Sequence, residues 1–155
     1  MNTLNFNFSS KSRLSVVDKA EIFRLNISRN LDPKKRSILG QYLTPLPVAT
    51  FMSSLFADTS SDIVLLDPGA GTGILTAAFM QEMSNRRTKP HRIYVEMYEI
   101  EPVMTGYLNS ILEECIFTGE LADIHISGSV IEKDFIQWGV EHINEQDSFL
   151  EDKRP

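Results

Sequence analysis

The stretch Asp67-Pro68-Gly69-Ala70-Gly71-Thr72-Gly73 sets three glycines at alternate positions just after an acidic residue. Glycines so spaced let a backbone turn sharply and approach a ligand closely, because no β-carbon intrudes, and a bulky side chain there is expected to block the pocket. The unbroken apolar run Ile63-Val64-Leu65-Leu66 precedes the turn, and an apolar stretch from Ile74 to Met83 follows it. Strand, tight turn and helix in that order put the turn where α/β sheets hold ligands, outside the carboxyl ends of their strands. The dinucleotide fingerprint is G-x-G-x-x-G, whereas the spacing here is G-x-G-x-G, which disfavours a nicotinamide cofactor and its pyrophosphate.

Three acidic residues follow strand-like segments and suggest a different ligand. Asp67 closes the first segment, Glu99 closes the second in Tyr98-Glu99-Ile100-Glu101-Pro102, and Asp134 ends the third. A methionine-sulfonium cofactor carries a cation, an amino group and a ribose, all of which favour nearby carboxylates. Asp67 is then placed for the amino-acid moiety and Glu99 for both ribose hydroxyls. Asp134 would accept from the adenine amino group, with Phe135 packing on the base. Each residue also has a structural reading: a tightly packed turn, a solvated strand end with Glu101 as the rival of Glu99, and a turn followed by a core aromatic. His91, His125 and His142 are scattered without ligand spacing, so no metal is assigned. Cys115 falls in the apolar-periodic stretch Leu108, Ile111, Leu112, Cys115, Ile116 and reads as a core residue.

The elements that must position these groups alternate along the chain. Residues 1–13 are polar and without period, which reads as a flexible arm. From Leu14 the spacing of Val16, Val17, Ala20, Phe23 and Ile27 predicts a helix to about Asn30, opened by a capping box of Ser15 and Asp18. Asp32-Pro33 breaks it, and Val48, Phe51, Met52 and Leu55 predict a second helix with Thr44 as N-cap and Pro45 at its first position. The run from Ile63 to Leu66 reads as a strand buried on both faces. A helix from Ile74 to Met83, a basic loop from Ser84 to Arg92, a strand from Ile93 to Ile100, a helix from about Pro102 to Phe117 and a strand from Ile124 to Ile131 complete the pattern. This alternation predicts an α/β fold, a mainly parallel doubly wound sheet with helices on both faces. Residues 14–57 form its N-terminal helical segment and residues 58–155 its cofactor-binding half.

With 155 residues and 42% hydrophobic content, the chain has the size and composition of one domain with a core. Its formal charge of −6 argues against a free-standing nucleic-acid-binding module, and Lys34-Lys35-Arg36 reads as a solvated charge run, with contact to phosphate as the alternative. No apolar run is long enough to span a membrane and the polar start has no signal-peptide core, so a cytoplasmic protein is expected.

Taken together, the motifs resemble the γ-arranged N6-adenine DNA methyltransferases of restriction-modification systems, the TaqI-like and Eco57I-like group. The resemblance covers roughly residues 37–138. It rests on Gly40-Gln41-Tyr42-Leu43-Thr44-Pro45 ahead of the glycine turn, on Asp67 to Gly73, on Glu99-Ile100-Glu101-Pro102 and on Asp134-Phe135. It implies a Rossmann-like class I fold and S-adenosylmethionine as cofactor. Tyr42, Thr44, Pro45, Asp67, Gly69, Ala70, Gly71, Thr72, Gly73, Glu99, Ile100, Asp134 and Phe135 are its implied contacts. The family's catalytic Asn/Asp-Pro-Pro-Tyr/Phe motif occurs nowhere in the 155 residues, and no target-recognition region follows. The expectation is therefore a truncated product, a proteolytic fragment or one subunit of a split enzyme. It would be inactive alone, with DNA engaged through regions missing from the chain and a restriction or specificity subunit as a further partner. In the whole enzyme the resemblance implies a target adenine flipped from the duplex and held by that motif. Methylation of RNA or of a protein amide, and a non-catalytic cofactor-binding subunit, are the alternative readings.

Overall fold

The computed structural model describes residues 13–30, 43–57 and 60–142. The arm before Arg13, the basic run Lys34-Lys35-Arg36, Tyr42 and the chain after residue 142 lie outside the described residues. Helix α1 spans Val16–Asn30 and α2 spans Leu46–Ser54. Strand β1 (Asp62–Pro68), helix α3 (Ile74–Asn85), strand β2 (Arg92–Glu99), helix α4 (Pro102–Leu121) and strand β3 (His125–Glu132) then alternate. Helical turns resume over 135–142. Among the described residues the sheet has three parallel strands in the order β1-β2-β3, with Ile63 paired to Ile93 and Ile93 to Ile126.

The capping box forms as the sequence predicts. The Ser15 amide and hydroxyl both donate to Asp18 Oδ2, at 3.2 and 2.6 Å, and the Asp18 amide donates to Ser15 Oγ at 3.2 Å. The predicted start of α2 is corrected by one residue. Pro45, extended at φ −67° and ψ 147°, is the N-cap, no side chain caps the helix there, and Pro47 sits inside the first turn. A carboxylate from another helix serves that end instead: Glu21 of α1 accepts from the Leu46 amide and pairs with Arg24 at 2.7 Å. The Arg24 hydrogen bond is the main reason the Glu21 carboxyl is held below its ordinary range.

Sequential strands joined by right-handed crossovers in one direction put both crossover helices on the same face. The packing agrees: α3 lies on α4, α1 lies on both, and α2 lies on α3. Ile63, Ile93, Val95, Met97, Ile126 and the helix residues Met80, Met83, Leu108 and Ile111 form the core beneath them. Cys115 is fully buried there as expected, and burial pushes its thiol well above the ordinary range. The other face of the sheet overturns one expectation, a first strand buried on both faces, while among the described residues the helical turns over 135–142 are what lies on that face. Val64 is 77% exposed, Leu66 46% and Tyr94 41%, and β1 is the edge of the described sheet. Among the described residues the carboxyl end of that face is the part that is covered, where Phe135 and Trp138 pack on Tyr98 with ring centroids 5.1 and 5.2 Å away.

Candidate functional site

The glycine turn follows β1 with Gly69, Gly71 and Gly73 all at positive φ, 78°, 59° and 76°. L-residues with side chains adopt that region at a strain that alternating glycines avoid. Three amides of the turn point back into the protein. Those of Gly69 and Ala70 donate to the Tyr98 carbonyl at 2.9 and 2.8 Å, and that of Gly71 donates to Glu99 Oε2 at 2.8 Å. The turn is thus fastened to the end of β2.

The glycines differ in what surrounds them, which refines the expectation that all three serve a close ligand approach. A β-carbon on Gly69 would meet nothing within 4 Å. One on Gly73 would lie 3.1 Å from Leu108 and Ile111, so Gly73 brings α4 against the turn. One on Gly71 would lie 3.0 Å from Leu43 Cδ2. Gly69 faces open space, and the other two receive protein side chains. Ala70, Thr72 and Gly73 are buried beneath the turn, and Thr72 Oγ1 is a buried side-chain polar atom with no hydrogen-bond partner.

Glu99, the last residue of β2, is 7% exposed. Its Oε1 accepts from the Ile100 and Glu101 amides, both at 2.9 Å, while Oε2 holds Gly71. A carboxylate offers about four acceptor positions. With three engaged, one remains, so Glu99 can add one hydroxyl without releasing an amide and cannot take both ribose hydroxyls on the expected terms. Glu101 stands beside it as the N-cap residue of α4, half-buried.

Asp67 is buried near the end of β1, where Thr76 Oγ1 of α3 donates to its Oδ2 at 2.6 Å. Burial raises its carboxyl above the ordinary range, and the Thr76 hydrogen bonds offset this only in part. Asp134 lies two residues beyond β3, exposed. Its Oδ1 accepts from the Ile136 and Gln137 amides at 2.8 and 3.0 Å, capping the turns that carry Phe135 and Trp138.

A cavity of about 360 Å³ brings together Pro68, Gly69, Tyr98, Glu99, Ile100, Lys133, Asp134, Phe135 and Ile136. It is within the range of small-molecule sites and stands at the carboxyl ends of all three strands. Five of the residues singled out in the sequence meet there: Gly69, Glu99, Ile100, Asp134 and Phe135. Asp67 does not line it. It faces a second, apolar cavity of about 350 Å³ with Met52, Phe56, Leu66, Leu75 and Phe79, and Pro68 borders both. Thr44 and Pro45 line neither cavity. Tyr98, Lys133 and Ile136 join the first cavity without having been singled out. Alternation from Glu99 turns Tyr98 to the opposite face, where an aromatic before a strand-end acid was the available sign. A third depression, lined by Arg13, Lys89 and Phe117, lies by the start of α1 and the end of α4, away from the glycine turn.

Comparison with known proteins agrees with the turn's spacing. Over 113 residues the chain is 36% identical to the type II methyltransferase M.PstI of Providencia stuartii, a span of 73% of this chain and 22% of that protein. The chain is a relative of the type II methyltransferases. It is also 32% identical over 138 residues to the type II methyltransferase M.BsuBI of Bacillus subtilis, covering 88% of this chain and 25% of that one. It therefore spans about a quarter of the length of these methyltransferase relatives. No family model matches the chain, and no solved structure matches it. Among the described residues no group of His, Cys, Asp and Glu could hold a metal ion, and no helix is long and apolar enough to cross a membrane.

Proposed function

We propose that the chain is the S-adenosylmethionine-binding portion of a site-specific DNA methyltransferase that acts on adenine N6, of the restriction-modification kind, with a Rossmann-like class I fold. The supporting observation is the direction of the turn's amides. A turn that cradles phosphate presents its N–H groups to the ligand. Here those of Gly69, Ala70 and Gly71 are engaged by Tyr98 and Glu99, so the cavity offers two carboxylates, one lysine and apolar walls rather than an anion nest. That lining suits an uncharged nucleoside with a cationic tail.

In this reading Glu99 accepts from one ribose hydroxyl at its free position. Ile100 and Phe135 flank the adenine, and Asp134 accepts from the adenine amino group with the oxygen that does not cap the helix. Asp67 serves the amino-acid end near Pro68, where the two cavities adjoin. Tyr42, Thr44 and Pro45 are the further cofactor contacts that the resemblance implies. When bound, the cofactor supplies an electrophilic methyl group. The chain's own residues orient it and exclude water. DNA, and a restriction or specificity subunit, would be partners of the whole protein.

Calorimetric titration with S-adenosylhomocysteine, NADH and ATP tests the first half of the proposal. Binding of the first alone is expected, and preference for either of the others overturns it. Mass spectrometry of digested DNA from cells making the whole protein tests the second half. N6-methyladenine is expected, and methylcytosine alone refutes the base assignment.

A further inference from the structure

Leu43 lines neither of the two cavities at the strand ends, yet it lies against the glycine turn. Its Cδ2 stands 3.0 Å from where a β-carbon of Gly71 would be, so the leucine fills the notch that the glycine leaves. Three residues later the Leu46 amide is held by Glu21, itself paired with Arg24. Residues 43–46 are therefore fixed at one end to α1 and at the other to the glycine turn. Gly71 is bounded on two sides: Leu43 occupies the space its missing side chain would enter, and Glu99 Oε2 accepts its amide at 2.8 Å.

We infer that Leu43 is a positioning residue of the site, holding Gly71 in the left-handed conformation in which its amide reaches Glu99 and so fixing the orientation of the Glu99 carboxylate in the cavity. Ligand affinity then depends on a side chain that the ligand does not touch. The inference rests on the cofactor-binding reading given above for what the site holds. The contact itself is independent of that reading. Contacting residues show non-additive effects when both are changed, and distant ones do not.

The test is a double-mutant cycle of Leu43→Ala and Gly71→Ala in the intact chain, with S-adenosylhomocysteine affinity, thermal unfolding without ligand and hydrogen exchange at the Gly71 amide as readouts. Leu43→Ala is expected to weaken binding about fivefold to tenfold, the range for coupling across one packed contact, and Leu43→Met to stay within about twofold of the parent. Gly71→Ala weakens binding more. Because truncating Leu43 removes the atom that the new methyl would meet, the double variant is expected to bind at least as well as Gly71→Ala alone. Exchange at the Gly71 amide should accelerate in Leu43→Ala while that of Met97, in the middle of β2, does not. Multiplicative losses in the cycle, or unchanged affinity and exchange in Leu43→Ala, overturn the inference. If the parent binds no S-adenosylhomocysteine, the functional proposal fails, and the thermal cycle and exchange still decide whether Leu43 holds Gly71. If Leu43→Ala does not fold, Leu43→Val takes its place in the cycle with the same expected signs.

Discussion

The two ends of β1 and their surroundings are built on opposite principles. At the carboxyl end, the amides of Gly69, Ala70 and Gly71 and the carboxylates of Asp67 and Glu99 all have partners inside the protein. Along its outer face, Val64 and Leu66 are exposed. The first region is polar in composition and buried. The second is apolar and bare. Exposed apolar surface of this extent marks a face that meets something else, whereas a satisfied polar turn marks a shape held ready. An apolar run therefore reports what a strand is suited to touch, and burial within a given chain is a separate fact.

The sharpest way to break the comparison is to truncate one side chain on each face of the sheet. Met97 is fully buried beneath the helices, and Met97→Ala is expected to lower stability by about 2–5 kcal/mol, from lost burial and the cavity left behind. Val64→Ala removes methyl groups that are already solvated, and is expected to cost less than about 1 kcal/mol, the span of strand propensity. Urea unfolding of the two variants checks this. Equal losses would mean that the outer face is covered in solution.

A second contrast lies within the turn. Gly71→Val sets a β-branched residue at φ 59° against Leu43 and is expected to cost about 1–3 kcal/mol of stability and most of the ligand affinity. Gly69→Ala meets nothing in the protein, so its stability cost should stay near about 1 kcal/mol, the strain of a positive φ alone. Its methyl group instead enters the space at the cavity. Affinity that falls further than stability in Gly69→Ala, with both falling together in Gly71→Val, separates a glycine that faces the ligand from one that faces the protein. Thermal melts and calorimetry on both variants provide the readout.

Much of this was legible in the sequence, and the gaps share one cause. The order of strands and helices, the capping box at Ser15 and Asp18, and the convergence of Gly69, Glu99 and Asp134 at the strand ends follow from periodicity and turn chemistry, which are local. What covers a face is not local. Ile63-Val64-Leu65-Leu66 reads the same whether helices lie on one side of the strand or on both. Likewise Leu43 reads as a spacer between Tyr42 and Thr44 until Gly71, distant in sequence, is brought against it. Asp134 is the reverse case. An acid followed by helical turns is a recognisable N-cap signal, and its Oδ1 accepts from two amides of those turns.

Glu99 sharpens the comparison through its dual part, since its acceptors both hold the turn and line the cavity. Glu99→Gln leaves one oxygen to serve three amides and turns an amide group toward a donor. Loss of about 1–3 kcal/mol is expected in ligand binding, with a parallel drop in melting temperature. Glu101→Gln, which disturbs none of those three bonds, should do less in both assays. A larger binding loss for Glu101→Gln would mean that the wrong carboxylate has been placed at the ribose.

The smallest effect concerns the two aspartates of β1, and it is read from pH. Asp67 is raised by burial, so its folded pKa lies above the unfolded one near 3.8, and the folded state holds the proton more tightly. The stabilisation this gives is fully present below that unfolded value and is lost as pH rises through the folded one. Asp67→Asn keeps an oxygen for the Thr76 hydroxyl and carries no charge. It should therefore match the parent near pH 3.5 and exceed its melting temperature at pH 7, with the gap opening as pH climbs past the ordinary carboxylate range. Asp62, at the other end of the strand, is held below its ordinary range by its hydrogen bond to Arg92 in a fully exposed pair. Its contribution has the opposite sign, present above the unfolded pKa and lost as pH falls, and solvent and salt screen it. Asp62→Asn should thus leave the melting curve almost unchanged at physiological ionic strength. A gap for Asp67→Asn that is the same at both pH values would show that the carboxylate acts through shape alone, and the contrast between a buried acid at the site and a solvated one at the strand's start would fall with it.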